Sequence, residues 1–236
     1  QEWEKALELF DELQRRGMTP DVITYNALIS ACENDGGGQW EQAFELFGDL
    51  KRRGLEPTVI TYNAMISACE KGGQWDKALE LFEELQQRGL EPTLVTYDAM
   101  ISASETTGHL KEACLMFLEA YERQYYPQLL TRGLLDLHDL SAAVARTAVR
   151  AALEDLLRSP DERKIHLLPS RRDFGIITGR GNRSVDGEPI VRQAILALLR
   201  EEYAQLHCVE APENPGRLVL SGRSLRDWTK AMGAAS

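Results

Sequence analysis

The chain has 236 residues, 43% of them hydrophobic, which is enough for one large core or two smaller ones. No apolar run approaches the roughly 18 residues needed to span a bilayer, and a net charge of −10 argues against a generic polyanion binder. The charge is uneven. Residues 1–128 carry 11 Lys and Arg against 23 Asp and Glu, and residues 129–236 carry 16 against 14, which sets an expected boundary near 128 and makes the second half better suited to phosphate.

The chain opens directly on an amphipathic helix, Trp3 to Arg16, closed by Gly17 and Pro20. It has no initiator Met and no signal or transit segment. The expectation is a fragment or processed form that has lost upstream repeats, because the repeat pattern that follows begins with its second half.

That pattern is Val22-Ile-Thr-Tyr-Asn-Ala-Leu-Ile-Ser-Ala-Cys-Glu33. It returns as Val59-Ile-Thr-Tyr-Asn-Ala-Met-Ile-Ser-Ala-Cys-Glu70, and again as Leu94-Val-Thr-Tyr-Asp-Ala-Met-Ile-Ser-Ala-Ser-Glu105. The intervals are 37 and 35 residues, with the extra two in the loop Asn34-Asp35-Gly36-Gly37-Gly38, where insertion costs little. Each unit predicts two helices. In the first, Tyr62, Met65, Ile66 and Cys69 share a face, and in the second, from about Gln74 to Arg88, so do Ala78, Leu81, Phe82 and Leu85. A glycine turn at Gly72-Gly73 separates the two, and Gly89 and Pro92 close the unit. Such a pair cannot bury its apolar face alone, so stacked units are expected to share a continuous core. Of the four cysteines (Cys32, Cys69, Cys114 and Cys208) none lies in a Cys-x-x-Cys pair. Buried, reduced thiols are therefore expected rather than a zinc site.

The period near 35, the Val-x-Thr-Tyr-Asn opening and the Gly-Leu-Glu-Pro ending resemble pentatricopeptide repeats over residues 1–128: a partial first unit, then 22–58, 59–93 and 94–128. Tetratricopeptide repeats carry Trp early in the first helix, whereas Trp3, Trp40 and Trp75 begin the second. The resemblance implies single-stranded RNA binding with one base per repeat. It assigns base selection to Asn26 with Thr58, Asn63 with Thr93, and Asp98 with Gln128. Ile23, Ile60 and Val95 would wedge between bases. The Asn–Thr combinations resemble the family's pyrimidine-preferring ones, while Asp98 and Gln128 depart from the pattern. An Asn near a helix start can also serve only as a cap or turn.

From Leu134 the pattern changes. Leu134 to His138 alternates like a strand, and Ser141 caps a helix running to about Arg158. After a polar stretch, 159–172, Phe174 to Thr178 reads as a second strand entering Gly179-Arg180-Gly181-Asn182-Arg183. A helix from Glu188 to Tyr203 follows, then strands near Leu206–Glu210 and Arg217–Ser221 flanking a turn at Asn214-Pro215-Gly216. The fold class expected is an α solenoid of helix-turn-helix repeats followed by a small α/β two-layer domain, residues 129–236, with a C-terminal tail. Asp136 and His138, two apart on a strand, would share a face and could handle protons. The amides of Thr178, Gly179 and Gly181 could cradle an anion, and Arg180 and Arg183 would add bidentate contacts.

A Leu-Asp-x-His strand, a helix, a Gly-x-Gly loop and a late Pro-Gly turn, in this order, resemble the small MutS-related domain over residues 130–222. Its combination with pentatricopeptide repeats resembles a class of organellar RNA proteins, in chloroplast or mitochondrion. The resemblance implies nucleic-acid binding, with cleavage in some members, of RNA or of DNA. The catalytic set would be Asp136, His138 and Arg180. A Mg2+ ion held by Asp136 is compatible with this chemistry but not required by it. The family has Gly after the His, and here Asp139 stands there. Three readings stay open: an RNA-processing endonuclease, a non-catalytic RNA-binding factor, and an acidic protein-interaction scaffold.

Overall fold

The structure is a computed structural model that describes residues 2–34, 39–131, 134–158, 173–179 and 189–233. The chain divides into two compact units, Gln1–Ala113 and Cys114–Ser236. The first is helical: α1 (Glu2–Arg15), α2 (Val22–Asn34), α3 (Trp40–Arg52), α4 (Val59–Lys71), α5 (Trp75–Gln87) and α6 (Leu94–Thr107), with α7 (Leu110–Glu122) crossing the division. These bounds agree with the sequence reading to within a residue or two.

Local chemistry sets the helix ends. Thr58 and Thr93 cap α4 and α6, each in a reciprocal box with the Thr three residues on (Thr61 and Thr96). Asp21 does the same work for α2 by accepting from the Thr24 backbone N–H at 2.8 Å. At the other end, Gly89 adopts φ +70. There the Leu90 N–H reaches Leu85 O at 3.1 Å and the Gly89 N–H reaches Gln86 O at 2.9 Å, a Schellman closure that glycine enters without strain. Gly17 and Gly54 end α1 and α3 in the same way.

Packing between units is as periodic as the sequence. The helix α4 lies against α2 and α6 as well as against its own partner α5. Tyr25, Tyr62 and Tyr97 are fully buried. Each meets a Phe of the preceding helix edge-on: Phe10 at 5.4 Å, Phe47 at 5.6 Å and Phe82 at 5.9 Å between ring centroids. The phenol of Tyr62 donates to Glu84 at 2.9 Å, and that of Tyr25 donates to Asp49, the equivalent carboxylate one unit earlier. Trp40 covers Gly72 of the next unit so closely that a Cβ there would stand 2.4 Å from its ring. Cys32, Cys69 and Cys114 are buried thiols, as expected, while Cys208 is half-buried.

The second unit holds a five-stranded sheet in the order β1-β2-β3-β5-β4. Its strands are β1 (Leu130–Thr131), β2 (Leu134–Asp136), β3 (Phe174–Ile177), β4 (Cys208–Ala211) and β5 (Asn214–Leu220). β2 and β3 are parallel, with α8 (Ala142–Leu157) between them in sequence, and the remaining pairings are antiparallel. α8 packs with α9 (Ile190–Glu202) and α10 (Gly222–Gly233). The buried Arg150 of α8 is held by Glu202 of α9 through two bonds, at 2.7 and 3.0 Å. Ser141 caps α8, as read from the sequence.

Three expectations are corrected. The C-terminal segment is largely helix rather than tail. Leu225 and Trp228 of α10 are buried, and Trp228 meets Tyr203 edge-on at 5.9 Å. The hairpin turn lies at Pro212-Glu213, because Ala211 pairs with Asn214, so the Asn-Pro-Gly run belongs to a strand. There the Asn214 side chain takes the Gly216 N–H. The short strand β1 was not foreseen, since two paired residues leave no periodic signal.

Candidate nucleic-acid interface

In the first unit, each of α2, α4 and α6 displays one large apolar residue to solvent at the same position. These are Ile23 (75% exposed), Ile60 (65%) and Val95 (60%). Three residues on, and so on a neighbouring face, stand Asn26, Asn63 and Asp98, all half-buried. The Asn side chains are not caps, because Asp21, Thr58 and Thr93 fill that role. Asn63 instead joins two units. Its Nδ2 donates to Thr93 Oγ1 at 3.2 Å, and its Oδ1 accepts from Thr96 Oγ1 at 2.6 Å. The amide is thereby held with its Oδ1 and one N–H of Nδ2 committed. Asn26 differs, in that its Oδ1 is buried and meets no partner among the described residues. Thr58 and Thr93 therefore act as caps and, at Thr93, as the neighbour of the residue with which sequence reasoning paired it. Gln128 lies in a turn of the second unit.

The carboxylates beneath the buried tyrosines are well compensated. Burial alone would raise Glu84, but hydrogen bonds from Lys51 at 2.7 Å and from Tyr62 bring its pKa below the usual carboxylate value. Burial first, then the bond to Asp49, pushes the Tyr25 phenol up to about 12. These groups brace the array and hold their protonation through the physiological range.

In the second unit the structure brings together Asp136, His138, Thr178 and Gly179. β2 ends at Asp136, so His138 lies in the turn beyond the strand rather than on it. The two side chains nevertheless meet, with His138 Nδ1 2.5 Å from Asp136 Oδ1. Parallel pairing sets Asp136 beside Ile177, and the Leu137 N–H bonds to Ile177 O at 2.8 Å. The loop leaving β3 therefore emerges next to the His. Gly179 has φ +76, and a Cβ on it would stand 3.3 Å from the His138 Cβ, so glycine answers both the backbone and the space. Thr178 is buried and tied to Gly216 O through its N–H at 2.8 Å. Loops at the carboxyl ends of adjacent parallel strands are a common place for ligands in α/β folds. Arg180, Gly181 and Arg183, and the basic stretch 159–172, lie outside the described residues.

Asp139 was noted in the sequence only as a departure. In the structure its Oδ2 stands 2.9 Å from His138 Nε2. The imidazole is thus bracketed by two carboxylates. Asp136 and Asp139 are both turned to the ring, and among the described residues no group of three or more His, Cys, Asp and Glu side chains is arranged to hold a metal ion. This arrangement does not fit a Mg2+ site. Among the described residues no helix is long and apolar enough to cross a membrane.

Residues 8–72 match the model of the pentatricopeptide repeat domain, and residues 57–105 match that of the PPR repeat family. Among solved structures, the pentatricopeptide repeat protein PPR10 from maize is 24% identical with a TM-score of 0.58, over 98% of this chain and 27% of that one. PPR10 in complex with an 18-nt psaJ RNA element gives 24% and 0.52, over 85% and 26%. The nuclear proteinaceous RNase P 2 of A. thaliana gives 16% and 0.52, over 89% and 40%. The chain spans little more than a quarter of the length of PPR10. No curated protein matches it. Repeat register and capped helix pairs agree with both pentatricopeptide repeat models over residues 8–105.

Proposed function

We propose that the protein binds single-stranded RNA through its repeats, and that residues 129–236 form a small MutS-related domain that grips and cleaves RNA in chloroplast or mitochondrial RNA processing. The observation that carries the reading is the row Ile23, Ile60 and Val95. Large apolar side chains repeated in water at one position per unit suit a surface that a partner covers. Bases packing against them supply that cover, and covering an aliphatic side chain fully is worth about 1.5–3 kcal/mol. The likeness to a repeat protein solved with an 18-nt RNA points the same way. An array with this acidic balance would bind mainly through stacking and base-edge bonds, so its affinity should fall with salt less steeply than that of a basic groove.

In this reading Asn26 with Thr58 and Asn63 with Thr93 select pyrimidines, and Asp98 serves a third base less strictly. In the second domain Asp136 orients His138, which takes a proton from the attacking hydroxyl. The amide of Gly179, together with Gly181 and Arg180 or Arg183, is assigned to the charge developing on the phosphoryl oxygens; the Thr178 N–H, expected from the sequence to join them, is instead bonded to Gly216 O at 2.8 Å.

The test uses pyrimidine-rich single-stranded RNA with and without Mg2+, beside an Asp136→Ala/His138→Ala variant and an Ile23→Ala/Ile60→Ala/Val95→Ala variant. The triple variant should lose about 1.5–2.5 kcal/mol of binding per side chain covered with its folding nearly unchanged. Cleavage lost in the double variant supports the nuclease. Binding without cleavage in either protein leaves a non-cleaving RNA-binding factor, and no binding even at low salt leaves a protein scaffold. A DNA duplex control tests nicking of DNA.

A further inference from the structure

We propose that Thr96 is a positioning residue that fixes which way the Asn63 amide of the preceding repeat faces, and through it which base that repeat accepts. The inference rests on reading the repeats as a surface for single-stranded RNA, and it adds a residue that the pairing of Asn63 with Thr93 leaves out.

An Asn amide offers an acceptor on one side and donors on the other, and turning it over exchanges them. A base-reading Asn is therefore specific only if something sets its direction. At Asn63 two hydroxyls do so. One amide atom lies 2.6 Å from Thr96 Oγ1 and the other 3.2 Å from Thr93 Oγ1. The shorter length belongs to an O–H···O bond and is below the usual range for an N–H donor, whereas 3.2 Å falls within that range. Oδ1 thus faces Thr96, and Nδ2 faces Thr93. The Thr96 hydroxyl is itself directed. It accepts the Thr93 backbone N–H at 2.9 Å, and its own proton finds Asn63 Oδ1 nearer than Thr93 Oγ1, which is 3.1 Å away. Thr96 is fully buried, so water does not compete for that proton. The chain of bonds runs from the start of α6 through Thr96 to the amide, and it assigns the second N–H of Nδ2 to the base. A donor held there favours a base edge that presents an acceptor, such as the O2 carbonyl that C and U share.

The unit before supplies the contrast. Thr61 stands at the matching position, is equally buried and accepts the Thr58 N–H at 3.0 Å. Yet Asn26 Oδ1 meets no partner among the described residues. The same residue types thus form the lock in one unit and not in the other. Asn63 should discriminate between bases more sharply than Asn26, although Asn26 with Thr58 and Asn63 with Thr93 are identical pairs in sequence.

The test compares Thr96→Val and Thr96→Ala, which lack the hydroxyl, with Thr96→Ser, which keeps it. Thr61→Val is the control, because it removes the same capping bond one unit earlier. Binding is measured at fixed salt on RNAs varied one base at a time, the base of each unit being the one at which Asn63→Ala or Asn26→Ala changes the preference. The side-chain amide protons of Asn63, assigned with Asn63→Asp, are followed by NMR without RNA. Both hydroxyl-free variants should lose at least about fivefold of the pyrimidine-over-purine discrimination at the Asn63 base, and their Asn63 amide protons should exchange with water faster. Thr96→Ser should behave as the wild type, and Thr61→Val should keep its discrimination at the Asn26 base. Wild-type discrimination in the hydroxyl-free variants overturns the proposal. So does an equal loss in Thr61→Val at its own base, which would place the cause in the helix cap. If none of the proteins binds RNA, the RNA reading fails and the amide protons decide the orientation: exchange no faster in Thr96→Val and Thr96→Ala than in the wild type overturns it, and faster exchange that Thr96→Ser reverses upholds it.

Discussion

Replacing Asn63 with Ala separates bracing from reading. The substitution removes two hydrogen bonds that cross from one repeat to the next, to Thr93 at 3.2 Å and from Thr96 at 2.6 Å. Each neutral, half-buried bond contributes about 0.5–1.5 kcal/mol net. Thr93 and Thr96 keep each other as partners, with their hydroxyls 3.1 Å apart, so neither is orphaned and the sum falls at the low end, about 1–2 kcal/mol. At roughly 2–4 °C per kcal/mol for a chain of this size, the transition of the repeat unit should drop by a few degrees, read by circular dichroism. The effect on RNA should be of a different kind. Loss of one base-edge contact costs about 1–3 kcal/mol, roughly a 5- to 150-fold weakening, and it should appear at one position only. Binding is measured at fixed salt on a set of RNAs in which each base is varied in turn. A variant that loses stability and yet keeps both affinity and base preference at every position would refute the reasoning and leave Asn63 as a brace alone.

Gly72→Ala should destabilise the array by about 1–3 kcal/mol in urea unfolding, because the new Cβ would stand 2.4 Å from the Trp40 ring. Gly72→Ala combined with Trp40→Leu should recover part of that loss, and an additive loss would show that the contact is not the cause. Alkaline stability should depend on the buried tyrosines. Burial, followed by the bond to Asp49, raises Tyr25 from 10.0 to about 12, and burial with Glu84 raises Tyr62 as well. A raised folded-state pKa gives stability that is whole below pH 10 and is lost as pH climbs through about 12. Tyr25→Phe/Tyr62→Phe should therefore flatten the fall in melting temperature over that window, while the wild type declines steeply.

The sequence by itself determined the array. A motif recurring at 37 and 35 residues carries its own helix caps, glycine stops and apolar faces. These are local rules that act before any distant contact forms, so the helix bounds could be read to within a residue or two. The resemblance to pentatricopeptide repeats singled out Ile23, Ile60 and Val95, and they stand in solvent. The tertiary structure decided what depended on distant partners. Asn63 is tied to Thr93 and Thr96, some 30 residues later. The glycine loop after β3 stands beside His138 only because β2 and β3 pair in parallel across the α8 connection. Pairing of Ala211 with Asn214 shifted the hairpin turn off the Pro-Gly signal, and burial of Trp228 turned a tail into a helix. Asp139 shows the difference most directly. In the sequence it is one acidic residue after a His, and in the folded turn its carboxylate takes the nitrogen that Asp136 leaves open. Which side of a ring a neighbouring side chain reaches is set by the turn's backbone path, and no periodicity or composition encodes that.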